Sequence, residues 1–442
     1  MKMRLIVFIV LLCAFTGMAQ HNISGNFSPA SEFKWLIAYE LTPGGQRYMA
    51  DTGIKDGYFK LELPDNDFGG IYRIVYAVPQ DEFFIDVIYN GKEDIEFNFS
   101  LEDGITIVAS NENKVYYNYL SEISSFENQI LDFYEAGVKS KKRFKEIIKE
   151  LSDVQERYEA QGADLLVYQL IKANAPYLPD SFEDSDTYFA TKKKHYFDAI
   201  DFNSTFLQSS ELVKDKLSNY VFEALPMNVN TKEAMQSIIF ANIKEVAKKL
   251  EDSPISFKTA VFKELWKTAN VNTLFTVSDA IFSGYLKDLA AQNGDQALID
   301  EIELSSRLRI GVRSPEISWE ENGTTKKLSG LEGAEQYVLV FWSSTCSHCL
   351  RELPTLHKEL AAYQNIKVVA VGLEEDDTYW KLEKENFPNF KHAIALGKWE
   401  SDYAQLFGIQ QTPTYFILNA DKQFVSKPAN DKEVVAFLNK EE

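Results

Sequence analysis

Tyr337-Val338-Leu339-Val340-Phe341-Trp342-Ser343-Ser344-Thr345-Cys346-Ser347-His348-Cys349-Leu350-Arg351-Glu352-Leu353-Pro354 is the stretch whose reading decides the fold of its region. Tyr337 to Trp342 is an unbroken apolar run, as expected of a strand buried on both faces. A short loop follows, and the two cysteines open the next helix. At a helix N-terminus the unpaired N–H groups and the dipole favour an anion, so the first thiol should ionise more readily than a free one. Cysteines at i and i+3 share a face, and their separation suits disulfide geometry. The pair can open and close without rebuilding the fold.

Each residue of the segment then has an expected part. Cys346, at the exposed end, is the candidate nucleophile toward a partner disulfide, and Cys349, one turn deeper, the candidate resolving thiol. Ser347 and His348 set the poise. A protonated histidine between the cysteines stabilises the neighbouring thiolate and makes the disulfide easier to reduce. Glu352 lies on the face of Cys349, where a carboxylate can accept and return the deeper thiol's proton. The same glutamate also suits a first-turn residue that favours the helix dipole, and spacing alone leaves both readings open.

Working outward, strand-like and helical patterns alternate from about Arg307. A helix runs through Tyr363, and strands follow at Lys367–Leu373, Ala393–Leu396, Thr414–Leu418 and Phe424–Ser426 before a closing helix from Lys432. Such alternation with short connections argues for an α/β sandwich. The acidic run Glu374-Glu375-Asp376-Asp377 reads as a solvated loop capping the next helix and is left out of the site. Upstream, Phe144, Ile147, Ile148, Leu151, Val154 and Tyr158 share one helical face, as do Met235, Ile238, Ile239, Val246 and Leu250. Asn230 with Glu233 fits a capping box for the second of these helices. No glycine falls between Gly162 and Gly284, and Pro176, Pro179 and Pro254 mark breaks between helices. Before Asn111 the pattern is strand-like. Phe59 to Leu63 and Ile95 to Phe99 alternate with period two, and Asp56-Gly57 and Asn90-Gly91 lie between such runs as hairpin turns. The expected organisation is a signal peptide over 1–19, an antiparallel β-sandwich or barrel over 20–110, an all-α domain over 111–306, and an α/β domain over 307–442.

The chain has 442 residues and a formal net charge of -20, with 66 acidic against 46 basic side chains. That surface repels nucleic acid and anionic lipid, which are discounted as partners. Lys2 and Arg4, the apolar run Leu5–Phe15 and the small-residue site at Gly17-Met18-Ala19 read as a signal peptide cleaved near Ala19, giving an exported, periplasmic chain. A membrane-anchored form is the alternative. A lipid on Cys13 fits poorly, because Leu12 is bulky for the preceding residue. Cleavage removes Cys13 and leaves Cys346 and Cys349. A loop so short is a poor staple, since crosslinking stabilises more as the closed loop grows. The pair's purpose should lie in reactivity or metal binding.

From about Gly311 to its end the chain resembles a TlpA/ResA-type thioredoxin-like domain. Gly311-Val312-Arg313-Ser314-Pro315-Glu316-Ile317-Ser318-Trp319 is similar to that family's opening segment. Phe341-Trp342 before Cys-x-x-Cys and Glu352-Leu353-Pro354 after it also match. Thr412-Pro413-Thr414 resembles the cis-proline loop that faces the disulfide. The resemblance implies that backbone beside Pro413 binds substrate in a β-like way, that Thr412 limits access to the sulfurs, and that Glu352 assists the thiols. Thr345 stands where an aromatic residue is usual, and Val340 where thioredoxin has its buried aspartate. The Ser-His dipeptide resembles the oxidising motifs of DsbA and protein disulfide isomerase, whereas the domain family leans reducing. More loosely, the N-terminal portion and His195–Phe202 are similar to the β and helical regions of multidomain exported Bacteroidetes proteins.

A Cys-x-x-Cys is also half of a zinc site, and His357 and His392 could complete one. The strand-to-helix setting and the later Thr-Pro favour redox chemistry instead, with no metal and no cofactor beyond the Cys346–Cys349 disulfide. Trp342 and Trp399 could flank a substrate groove, although core packing suits Trp342 better. His195, among aromatics, reads as packed or surface. The expected function is thiol–disulfide exchange on disulfide-containing exported proteins, as a reductase recharged by a membrane thiol donor. The alternative is an oxidase or isomerase using the same pair. The front regions could bind a partner, a glycan or a second copy. Oligomeric state is not legible.

Overall fold

The computed structural model describes residues 21–63, 69–226 and 231–440, which places the signal-peptide reading and Cys13 outside the described residues. The chain divides into two compact units, 1–293 and 294–442.

Among its described residues the first unit has eight strands, β1 (Asn22–Ser28), β2 (Trp35–Thr42), β3 (Gly45–Gly53), β4 (Tyr58–Glu62), β5 (Gly70–Val75), β6 (Phe84–Tyr89), β7 (Ile95–Ser100) and β8 (Gly104–Ala109). They form two four-stranded sheets, β4-β1-β7-β8 and β3-β2-β5-β6. The period-two strands turn Phe59, Leu61, Ile95 and Phe97 inward against Leu36, Ala38, Ile74 and Val87 of the other sheet, which makes a sandwich. The expectation of an antiparallel domain needs one correction, because β1 and β7 pair in parallel from Ile23↔Ile95 to Ser28↔Ser100. Asp56 and Gly57 both adopt positive φ, at 53° and 83°, and close a tight turn in which Lys55 and Tyr58 exchange backbone bonds of 2.9 and 3.0 Å. Asn90-Gly91 is not a hairpin turn as expected. It carries the chain from β6 to β7, which lie in different sheets.

The helices that follow among the described residues of the same unit are α1 (Asn111–Glu135), α2 (Lys141–Gly162), α3 (Tyr168–Ala173), α4 (Ser185–Lys194), α5 (Thr205–Gln208), α6 (Glu211–Phe222), α7 (Lys232–Lys249), α8 (Ile255–Val271), α9 (Phe275–Ile281) and α10 (Lys287–Gln292), with a π-helical turn at Phe282–Leu286 between the last two. α2 buries Phe144, Ile147, Leu151, Val154 and Tyr158 on one stripe. The cap of α7 is Thr231, whose hydroxyl accepts from the Ala234 N–H at 3.1 Å; Asn230 lies outside the described residues. Sandwich and helices are fastened through buried polar groups. The Asn113 side-chain amide donates to the Ile88 carbonyl and its oxygen accepts the Ile88 N–H, each at 2.8 Å. Arg73 is held by Asp86 and reaches Glu211 on α6 at 3.2 Å. Paired and hydrogen-bonded on several sides, these groups escape the penalty of buried unpaired charge. His195 meets Asp198 at 2.6 Å and lies parallel to the Tyr177 ring.

The second unit contains α11 (Gln296–Arg307), read above as the end of the helical region, and the hairpin β9 (Ser318–Glu321) and β10 (Thr324–Lys327). Its main sheet is formed by β11 (Gln336–Trp342), β12 (Ile366–Glu374), β13 (Lys391–Leu396), β14 (Thr414–Asn419) and β15 (Phe424–Ser426), in the order β13-β12-β11-β14-β15. β11, β12 and β13 are parallel, whereas β14 and β15 are antiparallel. The helices are α12 (Ser347–Leu360), α13 (Thr378–Glu383), α14 (Asp402–Leu406) and α15 (Asp431–Leu438). The central strand is buried on both faces, which explains its unbroken apolar run. Tyr337, Leu339 and Phe341 enter one core, and Val338, Val340 and Trp342 enter the other. α12 covers the second core with Cys349, Leu353, Leu356 and Leu360. No helix among the described residues is long and apolar enough to cross a membrane.

Candidate active site

The strand-to-helix junction is built as its sequence implies. β11 ends at Trp342, the Cys346 N–H donates to the Ser343 carbonyl at 3.1 Å, and α12 starts at Ser347. Cys346 itself occupies the N-cap position. Its Sγ accepts from the Cys349 N–H at 3.4 Å, taking the place usually filled by a Ser or Asp oxygen. Both cysteines are free thiols. Cys346 is half-buried, and Cys349 is 0% exposed.

Their environments push the two thiols apart. Burial raises Cys346, but it is outweighed by hydrogen bonding with the Thr412 side chain and the backbone N–H groups of Cys349 and His348, so the thiol falls below its ordinary value. As a thiol, its Sγ faces the Thr412 carbonyl at 3.4 Å. As a thiolate it would turn instead to those N–H and hydroxyl donors. Burial pushes Cys349 up to about 12, with the neighbouring Cys346 adding to the rise. One sulfur is therefore poised and the other withheld.

Thr412 and Pro413 stand across from Cys346 on the loop leading into β14, and the peptide between them is cis. The structure thus brings Cys346, Cys349, Thr412 and Pro413 together. Ser347 and His348 are exposed on the first turn of α12. Trp342 is fully buried in the core that also holds Cys349, edge-on to Phe387, and presents no face to a substrate. Trp399 is 45% exposed and sits in a short 3-10 turn after β13. His357 packs edge-on against Phe387 and Phe390, and His392 Nε2 meets the Phe387 carbonyl at 2.9 Å.

Glu352, half-buried one turn beyond Cys349, accepts a hydrogen bond from the Tyr415 hydroxyl at 3.2 Å. Tyr415 was not marked by the sequence, although it stands two residues after Pro413, at the start of β14. A second residue was misread. Glu374, taken above as part of a solvated loop, is 2% exposed and closes β12 beside the cysteine loop. Its carboxylate accepts from the Ser344 N–H at 2.5 Å and from the Ser343 hydroxyl at 3.2 Å. The charge is buried because two donors of that loop satisfy it. Parallel pairing of Trp342 with Gly372 brings the end of β12 to this place. The rest of the run behaves as read, with Asp376 accepting the Thr378 N–H at 2.8 Å near the start of α13.

Residues 333–424 match the family described as Thioredoxin-like. Among curated proteins, the thiol-disulfide oxidoreductase ResA of Bacillus thuringiensis is 25% identical over 125 residues, covering 27% of this chain and 70% of that protein, and ResA of Bacillus anthracis gives the same values. Among solved structures, the thioredoxin domain of a thiol-disulfide oxidoreductase from Bacteroides vulgatus is 21% identical, with a TM-score of 0.27, over 30% of this chain and 97% of that one. A thioredoxin-like protein from Bacteroides caccae is 18% identical, with a TM-score of 0.32, over 60% of this chain and 98% of that one.

Proposed function

We propose, for a chain whose C-terminal unit is a thioredoxin-like thiol–disulfide oxidoreductase domain of the TlpA/ResA type, that Cys346 and Cys349 reduce disulfides of exported proteins. The observation that carries this reading is the pairing of a half-exposed, lowered thiol at the N-cap of α12 with a buried, raised one a turn deeper, opposite the Thr412–Pro413 loop. The Cys346 thiolate attacks one sulfur of the substrate disulfide, and the other leaves as a thiolate that takes up a proton. Cys349 gives its proton to Glu352 and attacks Cys346 Sγ. The mixed disulfide breaks, the Cys346–Cys349 disulfide forms, and two electrons have passed to the substrate. Backbone beside Pro413 receives the substrate chain, Thr412 screens the sulfurs, and Ser347 and His348 set the potential over the buried Trp342. The cysteine pair is the only cofactor in this reading. A thiol donor at the membrane restores the dithiol, and the cycle runs in the periplasm after signal-peptide cleavage. The β and helical portions, joined in one compact unit, would select the substrate.

The exposed His348 between the cysteines favours a second reading, an oxidase or isomerase with the same pair. A redox titration of the purified chain, read by thiol alkylation across glutathione and dithiothreitol buffers, decides between them. A reversible two-electron transition near or below thioredoxin's roughly -270 mV supports the reductase, and one toward DsbA's roughly -120 mV the alternative. No reversible transition would sink both. Cys346→Ser should abolish insulin reduction, and Cys349→Ser should trap a mixed disulfide.

A further inference from the structure

We propose that Tyr415 is a positioning residue, whose hydroxyl holds the Glu352 carboxylate where it can take the proton of Cys349; this rests on the dithiol cycle above. Tyr415 is 1% exposed and belongs to the core that contains Cys349, Trp342 and Leu353. Its backbone is fixed by pairing with Val340 on the central strand, so the phenol has little freedom to move. A buried phenol needs a partner for its O–H, and the Glu352 carboxylate is that partner at 3.2 Å.

Without this contact Glu352 is a long side chain on a helix surface, free to turn into water. Ordering it costs rotamer entropy, which a bond from a fixed donor offsets. The phenol also feels the Glu352 carboxylate electrically. Burial first, then the charge and the hydrogen bond of Glu352, raise its ionisation above the ordinary tyrosine value. It therefore remains a hydrogen-bond donor wherever the cycle runs. Glu352 also remains half-exposed, so a proton taken from Cys349 can be passed on to solvent or to the departing thiolate. In the resolving step the Cys349 S–H bond breaks toward Glu352. The Cys349–Cys346 bond forms, and the bond from Cys346 to the substrate sulfur breaks. Tyr415 takes no proton in this step.

The test uses the full chain, reduced and mixed with 5,5′-dithiobis(2-nitrobenzoate), whose two thiolates are released one at a time. The first release reports attack by Cys346, and the second reports resolution by Cys349. Tyr415→Phe keeps the ring, and water can replace the lost donor at the half-exposed carboxylate, so melting should fall by no more than a few degrees. We expect the first release to stay within twofold. The second should slow about five- to tenfold at neutral pH. Glu352→Gln, which leaves the core untouched, should slow the second release at least as much. Adding Tyr415→Phe to it should then change nothing further. An unslowed second release in Tyr415→Phe overturns the proposal. So does a Tyr415→Phe defect that persists undiminished in the Glu352→Gln background, because the ring would then act through packing alone. Absence of any first release from the unmutated chain is a different outcome and fails the dithiol cycle itself.

Discussion

Pulsed alkylation of the reduced chain should label Cys346 well before Cys349, and the gap should close as pH rises. An ordinary thiol at 9.0 and Cys349 at about 12 differ about 10³-fold in ionised fraction at neutral pH. Cys346 lies below the ordinary value, which widens the difference. The more basic thiolate is the better nucleophile, and with a Brønsted slope of about 0.5 this returns about 30-fold to Cys349. A net preference of about 30-fold or more for Cys346 remains at pH 7, before the burial of Cys349 is counted. The assay is a short iodoacetamide pulse at each pH, followed by mass-spectrometric counting of label on each cysteine. Once Cys346 is fully ionised its rate levels off, while that of Cys349 keeps rising about tenfold per pH unit. The ratio should therefore shrink toward pH 10. Comparable labelling at pH 7, or labelling of Cys349 first, would refute the assignment of environments. A ratio that stays constant with pH would show that access, not ionisation, separates the two.

The same shift has a consequence for stability. Cys349 keeps its proton in the folded state where the unfolded chain has lost it, so stability falls as pH rises past the unfolded value. Between pH 9 and 10 the reduced chain should lose about 1 kcal/mol more than Cys349→Ala does, measured by urea unfolding at each pH. Cys346, shifted the opposite way, gains stability as pH rises through the unfolded value, but it is present in both proteins and cancels in the comparison. Glu374→Ala strands the Ser344 N–H, and should cost about 1–3 kcal/mol while slowing insulin reduction. An unchanged melting temperature would return Glu374 to the solvated class. Gly372→Ala places a Cβ 2.4 Å from the Trp380 indole, and overpacking of this kind should lower stability by about 1–3 kcal/mol in thermal melts.

What the sequence disclosed was local. The junction of β11 and α12, the strands of the second unit and the stripe of α2 all follow from residues close together in the chain, and periodicity reads such residues well. What it hid depends on pairing across long separations. Ile23 meets Ile95 in parallel, which no hairpin rule anticipates, and Asn90-Gly91 is a sound turn signal that does not say which sheet comes next. Glu374 carries the same difficulty into the site. Its neighbours in sequence are acidic and exposed, and only the registry of β12 on β11 shows that it ends beneath the cysteine loop. Tyr415 looks like one more aromatic in an apolar strand until the sheet places it under α12. Thr231 caps α7, and composition alone does not fix a capping position to one residue.

The five-stranded sheet also acts as a partition. Cys346, Cys349, Trp342 and Tyr415 all belong to one of its two cores, and the other, built on Leu339, Phe341, Val371 and Phe416, contains none of them. Mutations on opposite sides of such a wall should combine almost additively. Lineages could then remodel the far side, where Leu304 of α11 and Trp319 of the hairpin pack, without disturbing the sulfur chemistry. For engineering, the far side offers a dial for stability and the near side one for redox potential, each adjustable largely by itself.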